Sequence, residues 1–355
     1  MTPSDSRCWI EVDLAAIVRN AQRLVAQARK PLLPMVKADA YGLGAVPVAR
    51  ALESVEPWGY GVATIEEGEE LRGAGIARPI LVTAPVAPHA RWLKPLRAAG
   101  LTPSFGDAQS IRLWMMLGGG DWHLAIDTGM NRAGVRWDEV ASLAEELRAC
   151  PPAGAYTHFH SSELDDGSVD AQIERFRAAV DALPARPPLL HAENSGAIER
   201  LQTDFGFARP GVFLYGVHNG GPIAPEPVVT FRARVVDLRD VKPGESVSYD
   251  ATWKATVPTR VATLGVGYAD GYRRSLGNKG TVLVNGKRAQ VVGTVTMDMT
   301  MVDVTGIPCE RGDVATLIGA DGEEAITAAD VGAACGLSPY EILTSLRARP
   351  HRSYR

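Results

Sequence analysis

Pro34 Met35 Val36 Lys37 Ala38 Asp39 Ala40 Tyr41 Gly42 Leu43 Gly44 sets a lysine at the end of a short apolar run that begins at Leu32. A turn-forming segment follows, so the pattern predicts that Lys37 stands where a buried strand opens into a loop. Barrels and open α/β sheets place their chemistry at such strand ends. A lysine there also has a plain reading, as a side chain snorkelling to water, and only context separates the two.

Outward from this stretch the chain is periodic. Trp9 to Asp13 alternates like a strand, and Asp13 is placed to cap a helix whose apolar face is Ile17, Ala21, Leu24 and Ala28. From Leu32 onward, apolar runs alternate with helical stretches: Leu32 to Ala38, Gly59 to Thr64, Pro79 to Ala84, Leu101 to Phe105, Trp122 to Asp127, Ala155 to His160, Leu189 to Asn194 and Phe205 to Arg209. Strand-helix repeats of this kind fit an α/β fold of the (β/α)8 TIM-type barrel class, expected over residues 13–224. An open doubly wound sheet is the alternative, but no Gly-x-Gly-x-x-Gly follows the first strand. After Gly220 proline is dense and Val- and Thr-rich strands take over, with Asn285 Gly286 as a hairpin signal. Residues 225–355, with the N-terminal strand 7–12, are expected to form a mainly β C-terminal domain.

The 355 residues are 46% apolar and carry a net charge of -4, enough for a sizeable core and no electrostatic reason to bind nucleic acid. No apolar run reaches membrane-spanning length. Arg347, Arg349, Arg352 and Arg355 read as a solvated terminal cluster. Cys8, Cys150, Cys309 and Cys335 are widely spaced, which argues for reduced thiols. Met1 to Trp9 lacks the pattern of a signal peptide, so a cytoplasmic protein is expected.

In a barrel, Lys37, Asp127 with Arg132, His158, Asn194 with Ser195, and Arg209 with Gly211 all fall at carboxyl ends of strands. Ser195, Gly211 and Val212 follow the seventh and eighth strands, where barrels bind phosphate. Each alone also fits an ordinary turn. His158 and His160 share one strand face and invite a metal reading, but no compact set of further ligands accompanies them.

These motifs, in this order, resemble pyridoxal phosphate (PLP) dependent alanine racemases of fold type III, from Trp9 to about Tyr354. The resemblance implies that Lys37 forms the imine with PLP. Tyr41, Asn194, Ser195, Gly211, Val212 and Tyr340 would hold the cofactor, His158 would stack on its ring, and Arg209, supported by His191, would face its pyridine nitrogen. Val247 to Thr252 resembles the segment bearing a second catalytic base at Tyr249. A free tyrosine titrates near pH 10, so that role needs nearby positive charge or hydrogen bonding. Arg132 and Met297 match substrate-binding positions, and Tyr268, Glu163 and Arg274 match the entryway and its surroundings. Tyr249, Tyr268 and Met297 reach the other subunit's cofactor in that family, which implies a homodimer with shared sites.

The departures are specific. Ala125 stands where many relatives have a carbamylated lysine that steadies the arginine at Arg132, which then needs Asn131, water or an anion. Thr294 replaces an entryway arginine, Thr296 a common cysteine and Leu43 a frequent histidine. The activity implied is interconversion of L- and D-alanine for peptidoglycan precursor supply. A broader racemase acting on serine or basic amino acids is the alternative, and a non-enzymatic PLP-binding protein, which would lack the β domain, the distant one.

Overall fold

The structure is a computed structural model that describes residues 6–218, 220–346 and 348–355. Its first half is a curled parallel sheet of strands Tyr60–Val62, Ile80–Val82, Thr102–Phe105, His123–Asp127, Gly154–Tyr156 and Leu189–His191, neighbours in that order. Helices between them cover the outer face, and the strands themselves are mostly buried and apolar, with Thr102, Ser104, His123 and His191 as buried polar exceptions.

The first and eighth expected strands are shorter than the sequence suggests. Leu32 bridges Ala208 and Met35 bridges Gly61, each as an isolated parallel contact. Pro31, Pro34 and Pro210 interrupt the donors that a continuous ladder needs. The barrel nonetheless closes, because Leu33 N–H donates to Ala208 O at 2.7 Å, Met35 N–H to Pro210 O at 2.8 Å and Val36 N–H to Gly61 O at 2.8 Å. A short strand, Val135–Arg136, which periodicity did not indicate, lies parallel to His123–Asp127.

The second half is a nine-stranded sheet with few helices. Its longest strand, Val229–Val241, pairs antiparallel with the N-terminal strand Cys8–Val12, which in turn pairs parallel with His351–Tyr354. Asp13 ends the first of these and caps helix Leu14–Ala28, its carboxylate accepting from Ala16 N–H. One expected strand, Ala289 to Val304, splits into the end of Lys287–Gln290 and the separate Thr300–Asp303, with a loop between them. Buried side chains run from one half into the other as one apolar core.

Asn285 and Gly286 make the two-residue turn between Thr281–Val284 and Lys287–Gln290, with φ of 48° and 72°. Both values match the turn whose twist suits a hairpin. A Cβ on Gly286 would meet nothing closer than Asp321 O at 3.8 Å, so its cost is conformational alone. Gly286→Ala is expected to lower stability by about 1 kcal/mol in urea unfolding, without changing the slope.

Candidate active site

The carboxyl ends of the barrel strands open into a cavity of about 1040 Å³ lined by Lys37, Tyr41, Arg132, His158, Glu163, Asn194, Ser195, Arg209, Gly211, Val212 and Tyr340. The structure therefore brings together most of the residues singled out from the sequence.

Lys37 begins a short helical segment, Lys37–Gly42, whose hand is reversed. Ala38, Asp39, Ala40 and Tyr41 have φ of 52°, 55°, 51° and 56°. Left-handed backbone costs an L-residue about 1–2 kcal/mol, so this turn persists only because its surroundings hold it. Asp39 closes it from within, its carbonyl accepting from Gly44 N–H at 2.8 Å and its carboxylate from Ala45 N–H at 2.7 Å. Arg352 donates to Gly42 O at 3.2 Å, and Gly42 abuts Leu343 O so closely that a Cβ would lie 2.5 Å away. Ala38 N–H donates to Glu67 at 2.7 Å. Burial pushes the Lys37 amine below its ordinary range and Arg132 pushes the same way, while Glu67 opposes them.

Tyr41 leaves this turn to meet Gly211, where a Cβ would stand 2.6 Å from the tyrosine hydroxyl. Gly211 N–H donates to Ser195 Oγ at 2.9 Å, tying the two last barrel loops together. Asn194 caps helix Ser195–Arg200, leaving the first N–H groups of that helix without intrahelical acceptors. Tyr340, on helix Pro339–Thr344 of the β domain, closes the same end. Burial keeps both phenols protonated, raising Tyr41 to about 12 and Tyr340 less far.

Arg209 is 4% exposed, and among the described residues its guanidinium reaches no carboxylate. It donates to Thr157 O at 2.7 Å, Ala192 O at 3.0 Å and His191 Nδ1 at 2.7 Å. A guanidinium has no acceptor, so neutral His191 carries its proton on Nε2 and donates to His123 Nδ1, 2.8 Å away. The His191 ring lies between Tyr156 and Phe207, with centroids 4.9 and 4.3 Å off. Burial, then Arg209, holds His191 far below the usual imidazole range and His123 down to about 4. His158 falls to about 3 through burial and the cations Arg209, Arg132 and Lys37. Burial lowers Arg209 itself to about 10, which leaves it charged at neutral pH. Sequence reading missed His123, although its period-two alternation with Ala125 and Asp127 places it on the cavity side.

Four expected residues lie elsewhere. Tyr249 is 67% exposed, Met297 52% and Tyr268 39%, on the outer face of the β domain. Arg274 stands with them, 3.5 Å from Asp250. Thr294 Oγ1 donates to Tyr249 O at 3.3 Å, so the residue in place of an entryway arginine fastens the tyrosine segment. Ala125 lines the cavity beside Arg132, and Asn131 turns its side chain to Gly129 O rather than to that arginine. Among the described residues no hydrogen bond or ion pair reaches the Arg132 guanidinium, and no three metal-ligating side chains converge. His160 is exposed and bonds Ser161 Oγ.

His123 binds fewer protons folded than unfolded between about pH 4 and its ordinary 6.5, so stability rises with pH through that window and is lost as pH falls through it. The urea midpoint is expected to drop between pH 7 and pH 4. His123→Asn, which keeps an acceptor and does not titrate, should flatten part of that drop.

Two family models match the chain, the alanine racemase N-terminal domain over residues 12–219 and its C-terminal domain over residues 228–354. The alanine racemase of Carboxydothermus hydrogenoformans is 38% identical, the match covering 98% of this chain and 99% of the relative. That of Syntrophobacter fumaroxidans is 37% identical over 98% and 97%. The crystal structure of alanine racemase from E. faecalis superposes with a TM-score of 0.93 at 28% identity, covering 99% of both chains. The Bartonella henselae enzyme, solved with covalently bound pyridoxal phosphate, gives 0.91 at 30% identity over 99% and 100%. With both family domains matched in order and full-length relatives at this identity, the chain belongs to the alanine racemase family.

Proposed function

We propose that the protein is a PLP-dependent alanine racemase that interconverts L- and D-alanine with two bases on opposite faces of the substrate. The observation that carries this reading is one cavity joining a lysine whose amine burial pushes below its ordinary range to a buried arginine whose guanidinium, among the described residues, bonds carbonyls and an imidazole and no carboxylate. The residues fit PLP. Gly211 leaves a cradle against Tyr41 that any side chain would fill, and Ser195, Val212, Asn194 and Tyr340 add hydroxyl, amide and backbone groups suited to a phosphate. Lys37 Nζ would take the cofactor aldehyde, and His158 and Arg209 would hold its ring. When bound, PLP supplies an electron-withdrawing ring that acidifies the α-carbon of an attached amino acid.

Arg209 stays charged at neutral pH and would offer a bound ring a hydrogen-bond donor rather than an acid, which would limit the ring's electron withdrawal. His191 and His123 hold the guanidinium in place without adding charge. Arg132 is free to bind the substrate carboxylate. Lys37 Nζ, which burial makes easier to deprotonate, exchanges a proton at one face of the α-carbon. Tyr249 Oη, presented by a second copy of the chain, exchanges it at the other. Tyr249, Tyr268 and Met297 are exposed and stand outside the cavity of their own chain, which supports this shared-site homodimer. The reading implies a cytoplasmic supply of D-alanine for cell-wall precursors; no described helix is long and apolar enough to cross a membrane. Arg132, lacking the partner that Ala125 would have provided as lysine, favours a second reading, a racemase of broader specificity.

Chiral chromatography of products from L-alanine, L-serine, L-lysine and L-arginine separates these readings: fast D-alanine with little else is expected, and comparable rates on the larger substrates would favour the second. Lys37→Ala and Tyr249→Phe chains are each expected to be severely impaired alone. Mixed after dissociation in equal amounts, they should regain about a quarter of wild-type activity, since half the dimers carry one intact site. No recovery would rule out sites shared between chains.

A further inference from the structure

Glu67 has no part in the mechanism above, yet it touches the backbone on which Lys37 stands. It is the third residue of helix Ile65–Gly73 and forms a reciprocal cap with Thr64, its own N–H donating to Thr64 Oγ1 at 3.3 Å and its Oε2 accepting from Thr64 N–H at 3.2 Å. A residue that only closed its helix would need no more. Here Oε2 also accepts from Ala63 N–H at 2.7 Å, just past strand Tyr60–Val62, and Oε1 crosses to accept from Ala38 N–H at 2.7 Å. One carboxylate thus takes N–H groups from two neighbouring strand ends, one of them the peptide that joins Lys37 to the left-handed turn.

We propose that Glu67 is a positioning residue for Lys37: by holding Ala38 N–H against the end of the next strand, it fixes where the reversed turn begins and so where the amine points. This rests on the role proposed for Lys37. Both oxygens of Glu67 act as acceptors, so an amide of the same shape must turn its donor end toward a backbone donor on one side. Charge enters as well. Around the cavity Lys37 shares space with Arg132, Arg209 and His158, with Asp127 and Glu163, and with the hydroxyls of Tyr41 and Tyr340. Burial and Arg132 favour its neutral form, and Glu67 is the group that favours its charged form. The same contact therefore sets the amine's place and restrains its loss of a proton.

The test compares wild type, Glu67→Gln and Thr64→Ala as full-length chains freed of cofactor. Three readouts are taken: the pH midpoint of Lys37 acylation by peptide mass spectrometry, the rate of PLP capture by absorbance, and the thermal midpoint. Thr64→Ala weakens the same helix cap but leaves the bridge to Ala38. Glu67→Gln is expected to move the acylation midpoint down by roughly half to one pH unit. It should also slow PLP capture roughly tenfold. Thr64→Ala should lose thermal stability while keeping wild-type values for both Lys37 readouts. Glu67→Asp keeps the charge and shortens the reach, so it should hold the midpoint and slow capture, which serves if the glutamine variant does not fold. Wild-type midpoint and capture in the Glu67 variants would overturn the proposal and reduce Glu67 to a helix cap. Wild-type chain that captures no PLP would instead sink the role of Lys37, and the acylation midpoint, read without cofactor, would still decide on Glu67.

Discussion

Barrel closure is the constraint on which this molecule depends. Segments 31–36 and 206–210 come from opposite ends of the first half of the chain, and only a few backbone hydrogen bonds join them. That seam sets Lys37 and Arg209 on one cavity and brings Tyr41 against Gly211. With prolines limiting the donors on both sides, the seam relies on register rather than on ladder length. A slip of one residue would turn the lysine out of the cavity and the core side chains toward it.

The cavity that results is organised by positive charge in a partly desolvated space. Lys37, Arg132 and Arg209 line it, and the three histidines near them are driven neutral by burial and by those cations. Such a site attracts anionic groups and penalises additional cations. The buried guanidinium is stabilised by carbonyls and by a polarised pair of imidazoles, each fixed in one tautomer by the donor before it. Fixed tautomers make that arrangement rigid in direction as well as in place.

What the sequence made legible followed from period and turn chemistry. Asp13 as a helix cap, Asn285 Gly286 as a hairpin and the strand-end positions of Lys37, Asn194 and Arg209 all follow from local rules. The reversed turn after Lys37 was not readable, because of its four residues only Asp39 is of a type that visits that backbone, and then singly, so long-range contacts impose it. Nothing in the sequence singles out Glu67, since its reach to Ala38 depends on how two strands lie side by side. Tyr249, Tyr268 and Met297 were picked out by their motifs alone. A single chain leaves them on an outer face, where no period in the sequence could have assigned their partners.

The N-terminal strand Cys8–Val12 lies between Val229–Val241 and His351–Tyr354, so the first strand to be made is paired on both sides by strands made much later. Until then its edges stand open, a template for pairing with other nascent chains. The late strand also bears on the lysine turn: Arg352 bonds Gly42, and Tyr354 lies so close to Gly44 that no side chain fits between them. Assembly of the surroundings of Lys37 is thus coupled to the arrival of residues 351–354. A ribosome-bound chain that has completed the barrel residues still lacks part of the scaffold around Lys37.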